Sequence, residues 1–458
     1  MANDERRFFA PAAWVNGAWA KDVVLTAGSD GLWINIVANA PAQTQDGAAR
    51  LSGAILPGLV NGHSHAFQRA IAGLTERSDG GDDDFWSWRD RMYSVANRVT
   101  PAQLEAIATF LYAELLQAGY THVCEFHYLH NDIGRRPYAD AAEMSMALVR
   151  AAHAAGIGLT LLPTLYMRSG FAAKGLREDQ QRFASTPESV LRISAEIAKA
   201  PDGNLVTAGV AIHSLRAVDA GAMKELVAGV TSSAPVHIHI AEQLLEVEDC
   251  IAVHGRRPVE WLLHQFALDA RWNLVHATHC RPEELEGLRN QRASIVICPA
   301  TEANLGDGTF DLPGWLGQSG NWSIGSDSHI TRSWQEELRL LEYSQRLAKR
   351  KRNVAAAAAL SESSATALFE GSLRGGAAAA GKPLGGLAVG QRADFLVVDP
   401  ASPSLAGVPD DHLLDAIVFS SPDARFAQVF VAGNEVSSAG KFQQFANQMR
   451  EAMRALWG

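Results

Sequence analysis

Short runs of apolar residues recur along the middle of this chain, separated by longer stretches of helical periodicity. Eight runs are read as strands: Ile55–Asn61, His122–Tyr128, Leu159–Tyr166, Val206–His213, Val236–Ala241, Asn273–His276, Ser294–Pro299 and Asn321–Asp327. Compact apolar runs of this kind fit strands covered on both faces. Pro101–Ala118, Asp140–Ala155, Pro187–Ala200 and Pro258–Phe266 lie between them and read as amphipathic helices. Strands alternating with helices predict βαβ units and a parallel sheet. Eight such units predict an α/β fold, a (β/α)8 TIM-type barrel. A doubly wound open sheet is the alternative that counting leaves standing.

The two ends carry a different pattern. Phe8-Phe9, Ala13-Trp14-Val15 and Leu32–Val37 precede the first run, with turns between them. Gly390–Asp399 and Val429–Val436 follow the last. Both ends read as short strands with hairpin turns. The expected organisation is one small β-sandwich built from residues 1–54 and 383–458, flanking a barrel over residues 55–382. Ala355–Leu360 and Gly440–Leu456 read as helices.

Composition narrows the function classes. The net charge of −10 argues against non-specific binding to nucleic acid or anionic membrane. The short basic run Lys349–Arg352 reads as a solvated helix end. Cys124, Cys250, Cys280 and Cys298 form no C-x-x-C pair, so reduced thiols in a cytoplasmic protein are expected. The same spacing argues against the cytidine-deaminase type of zinc site, which needs P-C-x-x-C. Met1–Ala20 lacks the pattern of a signal peptide, and no run approaches the roughly 20 apolar residues that span a bilayer.

Ionisable residues gather at the C-terminal ends of the predicted strands. His63 and His65 end the first, His127 and Tyr128 the second, and His213 the fourth, with Arg216 just beyond. His237 and His239 lie on the fifth, followed by Glu242; His276 ends the sixth and Asp327 the eighth. In a parallel barrel all these ends open on one face, where active sites form. His63 and His65 are two apart and share a face of their strand. Imidazoles and a carboxylate suit one divalent metal, most simply Zn²⁺, so His63, His65, His239 and Asp327 are assigned as its ligands. His237 shares the face of His239 but sits deeper, as a core histidine. His276 is preferred to His279 for the sixth-strand role. His122, His153, His254 and His264 read as surface or helix histidines.

Such a metal makes a bound water nucleophilic by lowering its pKa from 15.7 to about 7. Asp327 is placed to take the proton, Glu242 to protonate a departing nitrogen, and His276 to polarise or orient the attacked centre.

These residues resemble a known group. Pro57-Gly58-Leu59-Val60-Asn61-Gly62-His63-Ser64-His65, His239-x-x-Glu242, His276 and Ser326-Asp327 are similar to the motifs of the amidohydrolase superfamily. The resemblance covers nearly the whole chain and implies a barrel with a flanking sandwich. Many binuclear members carry a carboxylated lysine at the end of strand four. Val206–His213 has no lysine, which implies a single metal.

Further segments resemble a narrower group within it: His63–Arg69, Phe85-Trp86-Ser87-Trp88-Arg89, Glu125–His130 and Cys298–Gly308. That resemblance implies zinc-dependent deimination of N-formimino-L-glutamate to N-formyl-L-glutamate and ammonia, in histidine degradation. It places substrate contacts on Gln68, Arg89, Tyr128, His213 and Arg216. The chemistry agrees, because an acidic protein needs local arginines to hold a small-molecule dicarboxylate. Trp86 and Trp88 read as lid packing, and the loop at residues 78–84 as a gate. Two other readings stand beside this one: a deaminase of another small molecule, of purine or pterin type, and a non-catalytic barrel scaffold. A homodimer is expected from the frequency of that assembly.

Overall fold

A computed structural model describes residues 5–77, 84–200, 203–436 and 440–458. Eight parallel strands run in sequential order: β1 (Leu59–Ser64), β2 (Tyr120–His127), β3 (Gly158–Leu165), β4 (Val210–Ser214), β5 (Val236–Ile240), β6 (Trp272–His276), β7 (Ser294–Ile297) and β8 (Trp322–Ile324). A parallel bridge between Ser64 and Asp327 brings the first strand to the end of the last. Every residue of β2 and β3 is buried, as expected of strands covered by helices outside and packed side chains within.

The helices follow their local signals. Thr100 and Gln103 form a capping box at the start of Pro101–Gln117, with Pro101 in the first turn. Thr186 and Ser189 do the same for Pro187–Ile197. Glu143–Ala155 stops at Gly156, whose φ of +84° suits a residue without Cβ.

The termini build one mixed sheet rather than two stacked sheets. Its strands follow the order Asn434–Glu435, Phe426–Val431, Phe395–Val398, Ile55–Pro57, Arg6–Val15, Ala18–Ala27 and Trp33–Val37. The sheet curls until its ends share a core, with Trp33 and Phe8 packed 5.5 Å and 5.1 Å from Phe395.

Three sequence-based strands change on folding. Ile55–Asn61 is divided: Ile55–Pro57 pairs with Phe395–Val397 of the small sheet, and the barrel strand begins at Leu59. Pairing with two different sheets is what separates one apolar run. Val206–His213 is divided at Gly209, where a Cβ would meet the Pro235 carbonyl oxygen at 2.7 Å. The eighth strand ends at Ile324, three residues before Asp327.

His122, read as a surface or helix histidine, is fully buried on β2 and bonds Thr160 Oγ1 at 2.8 Å. Beside it, Arg392 joins the small sheet to the barrel. Its guanidinium grips Asp394 in a bidentate pair at 2.8 and 2.6 Å and donates to the carbonyls of Thr121 and Asn204.

Candidate active site

The strand ends carry their side chains into one cleft. Nε2 of His63 lies 3.1 Å from Nε2 of His65 and 3.1 Å from Nε2 of His239. The Nδ1 atoms of His65 and His239 bond the carbonyl oxygens of Phe126 and His213 at 2.8 and 2.9 Å. Those bonds put the proton on Nδ1 and leave the Nε2 lone pairs bare. Bare lone pairs aimed at one point repel unless a cation lies between them. Asp327 Oδ1 stands 3.6 and 3.5 Å from Nε2 of His63 and His65, which adds a negative charge. Three nitrogens and a carboxylate oxygen match the donor set of a divalent transition metal, so these residues fit the group.

Electrostatics separate the ligands from the acid. Burial draws His63 down to about 3 and lowers His65 and His239, so all three are neutral at pH 7. Burial alone would raise the carboxyl of Asp327, but His63, His65 and His276 hold it well below the usual range. Burial raises Glu242 to about 7, where a carboxyl can still hold a proton near neutrality. Burial opposes a charge on His276, but Glu242, Glu302 and Asp327 surround it and raise it to about 10. Its Nε2 lies 3.6 Å from Glu242 and 3.7 Å from Asp327.

The backbone turns sharply where these groups leave their strands. Ala241, His276 and Asp327 have φ of +51°, +69° and +44°, a region costly for residues with a Cβ. The turn at Ala241 aims Glu242 inward, and Glu246 supports it by accepting the Glu242 backbone N–H at 3.1 Å.

The outer wall is polar and aromatic. Gln68 donates to Tyr128 Oη at 3.2 Å, and the His213 ring packs on Tyr166 at 4.2 Å. The helix Phe85–Ala96 forms a roof and contributes Phe85, Trp88, Arg89, Met92 and Tyr93 to the cleft. Arg216 enters from beyond β4, with Nη2 3.9 Å from Glu242. The Nε–H groups of both Arg89 and Arg216 are buried without an acceptor. Gln68, Arg89, Tyr128, His213, Arg216, Glu242, His276 and Asp327 thus line one space with His65 and His239, while His63 lies beneath. Of the loop at residues 78–84, residues 78–83 lie outside the described residues; Asp84 caps the roof helix.

Two buried carboxylates escaped the sequence reading. Glu302 Oε1 lies 3.2 Å from His276 Nδ1 and accepts the Cys298 N–H at 2.9 Å. Glu125 accepts the Ser64 hydroxyl and the Ala66 N–H, both at 2.6 Å, and so pins the turn that carries His65. A carboxylate inside an apolar strand, as in Cys124-Glu125-Phe126, was the available signal for the second.

A parallel barrel with a histidine–carboxylate cluster at its C-terminal face defines a class. The chain matches the Amidohydrolase family over residues 54–436 and belongs to that family. It is 46% identical over 433 residues to the formimidoylglutamate deiminase of Pseudomonas aeruginosa, covering 94% of this chain and 95% of that protein. It is 28% identical to a 5-methylthioadenosine/S-adenosylhomocysteine deaminase of Halobacterium salinarum, covering 82% of this chain and 79% of the other. The crystal structure of an amidohydrolase from Brucella melitensis superposes with a TM-score of 0.92 at 40% identity, covering 99% of this chain and all of that one.

Proposed function

We propose that this protein hydrolyses N-formimino-L-glutamate to N-formyl-L-glutamate and ammonia, with one zinc ion held by His63, His65, His239 and Asp327. One observation carries the substrate. Arg89, part-buried, and Arg216, buried, place two guanidiniums with buried, unused Nε–H donors in the wall of the histidine cleft. Buried cationic donors without acceptors call for an anionic ligand. A dicarboxylate supplies anionic acceptors; a neutral purine offers only uncharged ones. The 46% identity to the Pseudomonas aeruginosa deiminase supports the same substrate.

When bound, zinc acidifies a water and makes it a nucleophile near neutral pH. The protein supplies the remaining steps. Arg89 and Arg216 bind the carboxylates and leave the formimino carbon over the histidine cluster. Asp327, ionised, takes a proton from the attacking water as the C–O bond forms. His276, charged on Nε2, steadies the electron density that builds on the attacked group. With the formimino group bound as its amidinium, Glu242 delivers a proton to the terminal NH2 of the adduct as its bond to carbon breaks. The new hydroxyl then returns its proton to Glu242 as the formyl C=O forms, and the proton on Asp327 leaves with ammonia as ammonium. The four free cysteines, three of them buried, support a reducing compartment such as the cytoplasm. Among the described residues no helix is long and apolar enough to cross a membrane.

Ammonia release from N-formimino-L-glutamate, guanine, adenosine and 5-methylthioadenosine tests the proposal, with metal content measured on the same sample. Turnover confined to N-formimino-L-glutamate with one zinc per chain is expected. Turnover of a purine compound in its place, or active protein free of zinc, contradicts it.

A further inference from the structure

Trp86 stays out of the cleft wall yet touches both of its guanidiniums. The ring lies 4.5 Å from Arg89 Cζ and 5.4 Å from Arg216 Cζ. Arg89 is three residues further along the roof helix, whereas Arg216 belongs to the barrel. One indole therefore spans the roof and the barrel.

The arrangement answers an electrostatic problem. Two like charges in a desolvated wall repel each other, and each needs local stabilisation. A carboxylate would provide it but would occupy the donors that a ligand must use. Asp90 and Glu242 stand off at 3.9 Å from Arg89 and Arg216, outside hydrogen-bond distance. An aromatic face attracts a guanidinium through its quadrupole and takes up no N–H. Trp86 thus stabilises both cations and leaves their donors free.

The ring is held in place from several sides. The Asp84 carboxylate accepts the N–H groups of Trp86 and Ser87 at 2.9 and 3.0 Å, which fixes the first turn of the roof helix. Phe85 packs edge-on to Trp86 at 4.9 Å and also approaches Arg216, at 5.9 Å. Arg182 secures the far end of the helix by donating to the carbonyls of Ala96 and Val99.

We propose that Trp86 is a positioning residue for carboxylate capture, holding Arg89 and Arg216 at the spacing one dicarboxylate requires. This rests on the substrate reading given above.

The test is steady-state kinetics with N-formimino-L-glutamate on the wild type, Trp86→Leu and Trp86→Phe, with zinc measured in each. W86L should retain zinc and raise KM by roughly tenfold to a hundredfold, the scale of two lost cation–π contacts, with the smaller part of the loss in kcat. W86F, which keeps an aromatic face, should fall between W86L and the wild type. If W86L does not fold, W86F decides alone: a raised KM supports the role and a wild-type KM overturns it. An unmoved KM in W86L, a loss confined to kcat, or a W86F no better than W86L also overturns it. Wild-type protein that leaves N-formimino-L-glutamate untouched sinks the substrate reading and this inference together. Wild-type turnover with an unmoved KM in W86L sinks this inference alone.

Discussion

The backbone N–H of Asp327 donates to the carbonyl oxygen of His63 at 3.0 Å, and the N–H of His65 returns a bond to the Asp327 carbonyl at 3.2 Å. This rung joins the first strand to the segment beyond the last, so barrel closure and the meeting of three metal-ligand candidates are one event. Gly325 makes the approach possible. A Cβ there would lie 2.6 Å from His63 Cβ and 2.8 Å from its carbonyl oxygen. Gly325→Ala should destabilise the fold by about 1–3 kcal/mol, the usual cost of overpacking, and lower metal content with it. Denaturant melts paired with metal analysis read both; wild-type stability with full metal would refute the linkage.

Glu242→Gln keeps the shape of the proposed acid and removes its proton. Turnover should fall by roughly 10²–10⁴-fold while zinc content holds, the range for one acid–base group. Steady-state ammonia release and metal analysis on the same preparation measure this.

Arg216→Met removes a guanidinium whose Nε–H is buried without an acceptor. The expected result is a drop in kcat/KM for N-formimino-L-glutamate of about a hundredfold, with metal content retained. An unchanged kcat/KM would take Arg216 out of the substrate site.

Glu302 touches His276 from the side away from Glu242 and Asp327. Glu302→Ala frees the imidazole to rotate and should lower kcat about tenfold to a hundredfold with a smaller change in KM. Glu302→Gln, whose amide oxygen still accepts from Nδ1, should recover part of that loss. Equal rates in both variants would show that the contact does not orient the ring.

Two buried neutral histidines should make the fold lose stability in mild acid. Burial holds His130 down to about 4, and burial with the nearby Arg392 guanidinium holds His122 well below its ordinary value. Both lie below the 6.5 of an unfolded histidine. Between those limits the unfolded chain takes up protons that the native state refuses. The contribution of these two histidines is therefore complete above about pH 6.5 and falls as pH drops toward 4, by up to about 1.4 kcal/mol per pH unit for each. Urea melts at pH 7.5, 6 and 5 should show the decline, and His130→Asn should make it shallower.

Much of this protein was legible in one dimension. Eight apolar runs with helices between them gave the barrel its order, because strands covered on both faces need continuous apolar sequence. Side chains at strand ends gave the chemistry, because parallel strands open on one face. His63 and His65 could be paired from spacing alone, since the period of a strand is two.

Long-range pairing decided the rest. Ile55–Pro57 and Leu59–Ser64 form one apolar run but join different sheets, and only the partners Phe395–Val397 and Tyr120–Val123 separate them. Glu302 and Glu125 became visible as supports only when their distant acceptor contacts formed. Trp86 looked like packing until Arg216, 130 positions away, came to lie beside its ring. Local physics sets which residues are apolar, which can turn and which can titrate. Which of them share a low-dielectric space depends on contacts between segments far apart in the chain, and no local pattern encodes those.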